Sequence, residues 1–262
     1  MAGNTSTPGA SLVARALAVL AAFDDTHRRL GLTELAARAD LTPPTTLRIA
    51  RQLTEGGALA REPDGRYVVG RLVWDLGLLA PVQTDLREAA APFLHDLHAA
   101  THATVHLAVR EGERALYLDR LSGVASVPVV SRVGSRLPLH ATGVGKVLLA
   151  HAPADVRARV LGRLERITAY TVTSPRLLDE QLERARREGF AATAEEMTLG
   201  ACSVAVPVSA DGQVVASLGV VVPNLRRDRP RLVAALQVAA IGVGRHLQHA
   251  QDGRRWTDLY AR

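Results

Sequence analysis

The chain of 262 residues is 47% apolar and 22% charged, an ordinary globular balance that excludes wholesale disorder. Its formal charge of +6 suits a polyanionic partner, yet three Phe, two Trp and four Tyr are too few to build base-stacking platforms for single-stranded nucleic acid. The longest apolar run, Val214 to Pro223, is broken by Ser217 and Gly219 and is too short to span a bilayer.

Met1 to Ala10 carries no basic segment followed by an apolar one, and the single cysteine, Cys202, allows neither an internal disulfide nor a CxxC metal pair. A soluble, cytoplasmic protein with no membrane contact is expected. Residues 1–80 have a net charge of only +1 and residues 81–262 of +5, so any DNA contact near the N-terminus must be a local patch. Thirty-one Arg against one Lys reflects genomic base composition more than function.

Ser11 is a candidate cap for an amphipathic helix with Leu12, Ala16, Val19, Leu20 and Phe23 at helical spacing. Asp24 to Leu30 reads as a turn. Thr33 is then a candidate cap for a short helix whose Leu32, Leu35, Ala36 and Ala39 fall at i, i+3, i+4 and i+7. Asp40 occupies a turn position that needs a left-handed backbone. Thr42 caps a third helix, Pro43 to about Glu55, in which Pro43 and Pro44 are tolerable because they lie in the first turn. Its Thr46, Ile49, Ala50 and Leu53 form an inward stripe; Thr45, Arg48, Arg51 and Gln52 lie opposite. Two short helices joined by a tight turn, the second with a basic outer face, make a helix-turn-helix pattern. Ala58–Arg61 and Arg66–Val69 around Asp64-Gly65 read as a hairpin, which in that position is a wing. The alternative is a small helical domain whose basic residues are merely solvated.

Further along, Trp74 to Leu79 continues a helix out of the wing and Pro81 ends or kinks it. Asp85 to Ala100 is an amphipathic helix. Thr104–Val109 and Ala115–Leu121 alternate around Glu111-Gly112-Glu113, a hairpin signal, and Val127 to Val133 is another strand. Leu177 to Glu188 is a helix closed by Gly189. Ser203–Val208 and Gln213–Val222 pair around Asp211-Gly212, and Arg229 to Gln251 is a closing helix. Without a repeating βαβ unit, this half reads as α+β with a mainly antiparallel sheet.

Three further patterns lack the residues their chemistry needs. Thr142-Gly143-Val144-Gly145-Lys146 resembles a phosphate loop, but His140 and Val147 stand where that loop needs Gly and Ser or Thr. His95, His98, His102 and His106 are spaced like metal ligands, but a helix–strand boundary near Thr101–Thr104 takes the last two off the shared face, so no metal is expected. Cys202 has no nucleophile motif around it. No enzyme activity and no cofactor are expected.

Ser11 to Leu20, Leu41-Thr-Pro-Pro-Thr-Thr-Leu-Arg48 and Gly65-Arg-Tyr-Val-Val-Gly70 resemble the isocitrate-lyase-regulator (IclR) family of bacterial transcription factors. So do Pro92-Phe-Leu-His-Asp-Leu97, Thr104-Val-His-Leu-Ala-Val109, Leu137 to Ala150, and Glu195-Glu196 through Gly200 to Pro207 followed by Gly212 to Pro223. The resemblance runs in order over roughly residues 11–250. It implies a tail (1–8), a winged helix-turn-helix domain (9–72), a linker helix (73–84), an effector-binding domain similar to the GAF fold (85–250) and a C-terminal tail (251–262). Its partners would be double-stranded operator DNA, a small-molecule effector, and further copies in a homodimer or homotetramer.

Thr42, Pro44, Thr45, Arg48 and Arg51 would then face the major groove or its phosphates, with Arg66 of the wing near the backbone or minor groove. The family's small-acid sensors hold a carboxylate on backbone N–H groups that fall here on Gly143 and Val144. A pocket Asp of theirs falls on Thr193, a Cys or Ser on Ser203, and two serines on Gly219 and Val221; Val129 and Leu137 would add apolar wall. The lost polar groups, and the room expected at Gly219, point to a larger, partly hydrophobic carboxylate. A repressor is expected before an activator. The alternative is a metabolite-binding or enzymatic protein whose N-terminal helices serve only for dimerisation.

Overall fold

The computed structural model describes residues 11–24, 26–79, 84–123, 127, 129–226 and 228–260, with side chains as far as 248. Two compact units result, residues 1–82 and 83–262. In the first, Ser11 caps α1 (Leu12–Ala21) by accepting the Ala14 N–H at 3.1 Å. Of the residues expected to face inward, Val19 is buried, whereas Leu12 is exposed. Helix α2 (Leu32–Arg38) starts after Gly31 with no side-chain cap, so Thr33 lies in its first turn instead of capping it. Asp40 takes φ 52°, the left-handed turn into α3 (Pro43–Glu55). Pro43 and Pro44 have no N–H, which removes two of the amides that a helix start leaves unbonded. Thr42 holds the cap position, but its hydroxyl donates to Thr45 Oγ1 at 3.0 Å and caps no amide.

Strands β1 (Leu59–Arg61) and β2 (Tyr67–Val69) form the wing, with Gly65 at φ 84° in its turn. Leu30 bridges to Tyr67 through two backbone bonds of 3.0 and 2.8 Å, so the last residue of the expected turn joins the wing's sheet. Val19, Leu30, Leu35, Ile49, Ala50, Leu59 and Tyr67 share one small core. Helix α4 (Arg71–Leu78) follows Gly70, where a Cβ would collide with the backbone of Gly57; only glycine allows that approach. Pro81 lies outside the described residues.

The second unit comprises α5 (Thr84–Thr101), β3 (Thr104–Glu111), β4 (Arg114–Leu121), β5 (Arg136–Pro138), α6 (Gly143–Ala150), α7 (Ala154–Leu161), α8 (Pro175–Glu188), β6 (Ala191–Ala194), β7 (Cys202–Ala210), β8 (Gln213–Val222) and α9 (Arg229–Tyr260). The sheet is antiparallel throughout, in the order β5-β4-β3-β8-β7-β6. Period-two alternation sorts its residues onto two covered faces. Val105, Leu107, Val109, Val204, Val206, Leu218 and Val220 pack on α5 and α9. Ala108, Ala115, Tyr117, Ala191 and Ala205 pack on the other side with α6, α7 and α8.

Two expectations fail here. The described part of 127–133 forms no strand. The backbone of Tyr117 is bonded instead by Gly134 and Ser135 (2.8 and 3.0 Å), which turn the chain into β5, and Val129 and Ser131 lie on the covered face as irregular segment. The closing helix does not stop at Gln251: α9 continues to Tyr260, through residues expected to be a tail, in a stretch free of proline.

Candidate DNA-binding surface and ligand cavity

On α3 the core stripe fixes what faces out. Thr46, Ile49 and Ala50 are buried and Leu53 is partly so, which leaves Arg48, Arg51 and Pro44 exposed and Thr45 half-buried beside Thr42. Among the described residues neither Arg48 nor Arg51 forms an ion pair, so both guanidinium groups are available for outside anions. Arg66 stands exposed at the wing, 3.9 Å from Asp64, while Arg61 is tied back to Gly65 O and lies over the Tyr67 ring. All six residues expected at the DNA are thus on the surface of one unit.

The second unit holds a cavity with about 470 Å³ of atom-free space, mouth included. All eight residues expected at the effector line it: Val129, Leu137, Gly143, Val144, Thr193, Ser203, Gly219 and Val221. At one end Thr142 caps α6, accepting the Gly145 N–H at 3.1 Å. The Gly143 N–H donates to Ser203 Oγ (3.2 Å), which also shares a 2.6 Å bond with the Thr193 hydroxyl. A polar knot therefore sits where a bare anion cradle is expected. A Cβ on Gly143 would come within 2.6 Å of Ser203 Oγ, so the contact needs glycine. Gly219 does not leave room, contrary to expectation: a Cβ there would lie 2.8 Å from Val144 Cγ1, because Val144 already fills the gap.

Sequence reasoning missed His106, Tyr117, Ser131, Met197 and Thr198, which also line the cavity. The His106 and Tyr117 rings meet edge to face at 5.0 Å, and His106 Nε2 shares a 2.8 Å bond with Ser131 Oγ. Burial, aided by the charge of Arg120, pushes the His106 pKa down to about 3, so the ring is neutral; burial pushes the Tyr117 phenol up to about 12, opposed by a hydrogen bond with Thr142. The alternation Thr104-Val-His-Leu-Ala-Val109 was the available signal, since it places His106 with Ala108 on one face.

The other chemistries disperse. His95 and His98 bond backbone carbonyls of Ala91 and Ala103, His102 occupies a left-handed turn, and His106 is on the sheet. Among the described residues no group of three His, Cys, Asp or Glu side chains could hold a metal ion. Lys146 is buried, and its ammonium is taken up by both Glu196 oxygens (2.6 and 2.8 Å) and Gln181 Oε1 (2.7 Å). Burial raises the Cys202 thiol pKa, the reverse of nucleophile activation. No described helix is long and apolar enough to cross a membrane.

Comparison with known proteins decides the class. The model of the bacterial transcriptional regulator IclR C-terminal domain matches residues 80–245, and that of the IclR helix-turn-helix domain matches residues 12–63. The chain belongs to the IclR family. It is 31% identical over 237 residues to the HTH-type transcriptional regulator KdgR of Escherichia coli, covering 88% of this chain and 90% of that protein. It is 28% identical over 230 residues to the HTH-type transcriptional repressor AllR of Escherichia coli, covering 86% and 85%. A solved IclR homologue from Microbacterium hydrocarbonoxydans, complexed with 4-hydroxybenzoate, superposes with a TM-score of 0.86 at 33% identity over 91% of this chain and all of that one. This IclR-family chain is accordingly an α+β transcriptional regulator with a helix-turn-helix domain.

Proposed function

We propose that this regulator is a cytoplasmic repressor, not an enzyme, whose operator affinity is set by a small carboxylate-bearing effector in the cavity of residues 83–262. One observation carries the reading: a lined cavity, apolar along Tyr117, Val129, Leu137, Val144 and Val221 and polar at Gly143, Thr193 and Ser203, in a chain that also exposes Arg48 and Arg51, without ion pairs among the described residues, on a recognition-type helix. The repressor named AllR and the homologue holding 4-hydroxybenzoate support the two halves of the reading. Gly143 offers its N–H to an acid only if the Ser203 hydroxyl yields its bond. Thr193, Gly219 and Val221 leave a two- or three-carbon oxo-acid short of partners, at roughly 1–3 kcal/mol for each missing bond. Glyoxylate and pyruvate are therefore expected to bind poorly in calorimetric titrations; tight binding of either, with no response to aromatic acids, would contradict this effector class.

For DNA, Thr42, Pro44, Thr45, Arg48 and Arg51 meet the major groove and its phosphates, and Arg66 the backbone or minor groove. Arg fits guanine O6/N7 and phosphate alike. One such helix makes few contacts, so two copies on a pseudopalindrome are needed. Exposed Leu12, Val13 and Leu17 on α1, and Leu72, Trp74 and Leu76 on α4, supply apolar surface for pairing into dimers and tetramers. Fluorescence anisotropy on the duplex upstream of the protein's own gene tests this reading. Two chains per site are expected, and Arg48→Ala should weaken binding by about 1–3 kcal/mol while the fold persists. Unchanged affinity in the folded variant would remove Arg48 from the interface, and tight binding by a single chain would contradict the dimer.

A further inference from the structure

Outside the sites above, two buried polar groups on neighbouring strands lack partners. Thr104 is fully buried, and its Oγ1 has no hydrogen-bond partner. The Nε of half-buried Arg120 is likewise buried and unpartnered, and its guanidinium makes no ion pair among the described residues. Neither lines the cavity, but both neighbour residues that do. Arg120 is the register partner of His106, and directly opposed residues share a face. Thr104 lies two residues before His106, on the same face, and pairs with Val221. His106 and Val221 both line the cavity. The Arg120 charge, next to His106 in the strand register, also helps to keep that ring neutral.

Two unpaired buried polar atoms on one face of neighbouring strands are costly, and such groups normally find a partner. The neighbouring His106 cannot supply it as an anion, and no acidic side chain of the described residues lies within ion-pair distance of Arg120. What this place lacks is negative charge with acceptor oxygens. We propose that the cavity extends to Arg120 and Thr104 when an effector binds, and that these two form the anchor for its carboxylate at the β3–β4 end. The Gly143–Ser203–Thr193 knot at the other end then takes a neutral hydrogen-bonding group such as a hydroxyl. The ligand class is an acid with a second polar group separated from the carboxylate by an apolar body, matching the walls between. This rests on the carboxylate reading above and moves its charged end away from α6.

Calorimetry on the full chain tests the anchor, with 4-hydroxybenzoate and its uncharged counterpart 4-hydroxybenzamide as probes. The unaltered protein should prefer the acid by at least about tenfold. Arg120→Gln should weaken the acid by about tenfold to a hundredfold, the range of a hydrogen bond to a charged group, and leave the amide within about threefold. Thr104→Val removes an unpaired buried hydroxyl at nearly constant shape. It should raise the melting temperature of the ligand-free protein and still weaken the acid, a combination that a purely structural threonine would not give. Acid binding unchanged by Arg120→Gln, or an unaltered protein that prefers the amide, overturns the anchor alone. No binding of any aromatic or small acid by the unaltered protein overturns the carboxylate reading itself.

Discussion

Replacing Lys146 by methionine is expected to destabilise the unit of residues 83–262 by about 3–5 kcal/mol, the penalty for stranding a buried charge. Lys146 is 1% exposed and Glu196 6% exposed, and the ammonium meets both carboxylate oxygens and Gln181. Burial pulls the Lys146 pKa down while Glu196 opposes the shift, so removing either partner leaves the other ion without compensation. The consequence reaches the cavity. Glu196 immediately precedes Met197 and Thr198, which line it, and the Thr171 hydroxyl holds the Glu196 carbonyl at 2.7 Å. Urea denaturation of Lys146→Met and of Lys146→Met/Glu196→Leu separates the ion from the packing. The double variant should recover much of the loss, since apolar replacement of a whole buried pair is close to neutral. A single-variant loss below about 1 kcal/mol would sink this account of the strut.

Acid should weaken the fold through His106 before it touches the carboxylates. In the folded protein the ring stays neutral until about pH 3, against an ordinary value of 6.5. Above pH 6.5 both states are neutral and nothing is lost. Below it the unfolded chain binds a proton that the folded one refuses, so stability falls as pH falls, by about 1.4 kcal/mol per unit. At pH 5 the loss is about 2 kcal/mol. The lowered carboxylates Asp24, Glu111, Asp155 and Glu183 act in the same direction but only near and below their ordinary values of 3.8 to 4.5, so the window from 6.5 to 5 isolates the histidine. Denaturation curves at pH 7.5, 6 and 5 should converge for His106→Gln, which keeps a polar group for Ser131 but no titrating ring. Equal pH slopes in the two proteins would show that His106 is not the group responsible.

Much of this molecule was legible in its sequence because local chemistry decides local structure. The α3 stripe, the two prolines in its first turn, the left-handed Asp40 and the Gly189 cap, at φ 74°, are all written in spacing and residue type. What depended on distant partners was not legible. The Lys146–Glu196 pair joins residues fifty positions apart, and nothing around Lys146 announces it. Val127 to Val133 has strand composition, yet Gly134 and Ser135 take the backbone bonds of Tyr117 that a strand there would have needed. Gly219 looked like space because its missing side chain was visible and Val144, which fills that space, was not. For β3, alternation tells which residues share a face but not that both faces are covered, so a polar series, Thr104 and His106, came to lie inside.

Ligand control of DNA binding is the central claim, and linkage makes it measurable in one experiment. Anisotropy titrations of the full chain on its own upstream duplex, at fixed salt, with and without saturating 4-hydroxybenzoate, give two operator affinities. The account predicts a difference of fivefold or more, corresponding to a coupling of about 1–3 kcal/mol, and the same factor in the acid's affinity when DNA is present. A single operator affinity, identical with and without an acid that calorimetry shows to be bound, would contradict it.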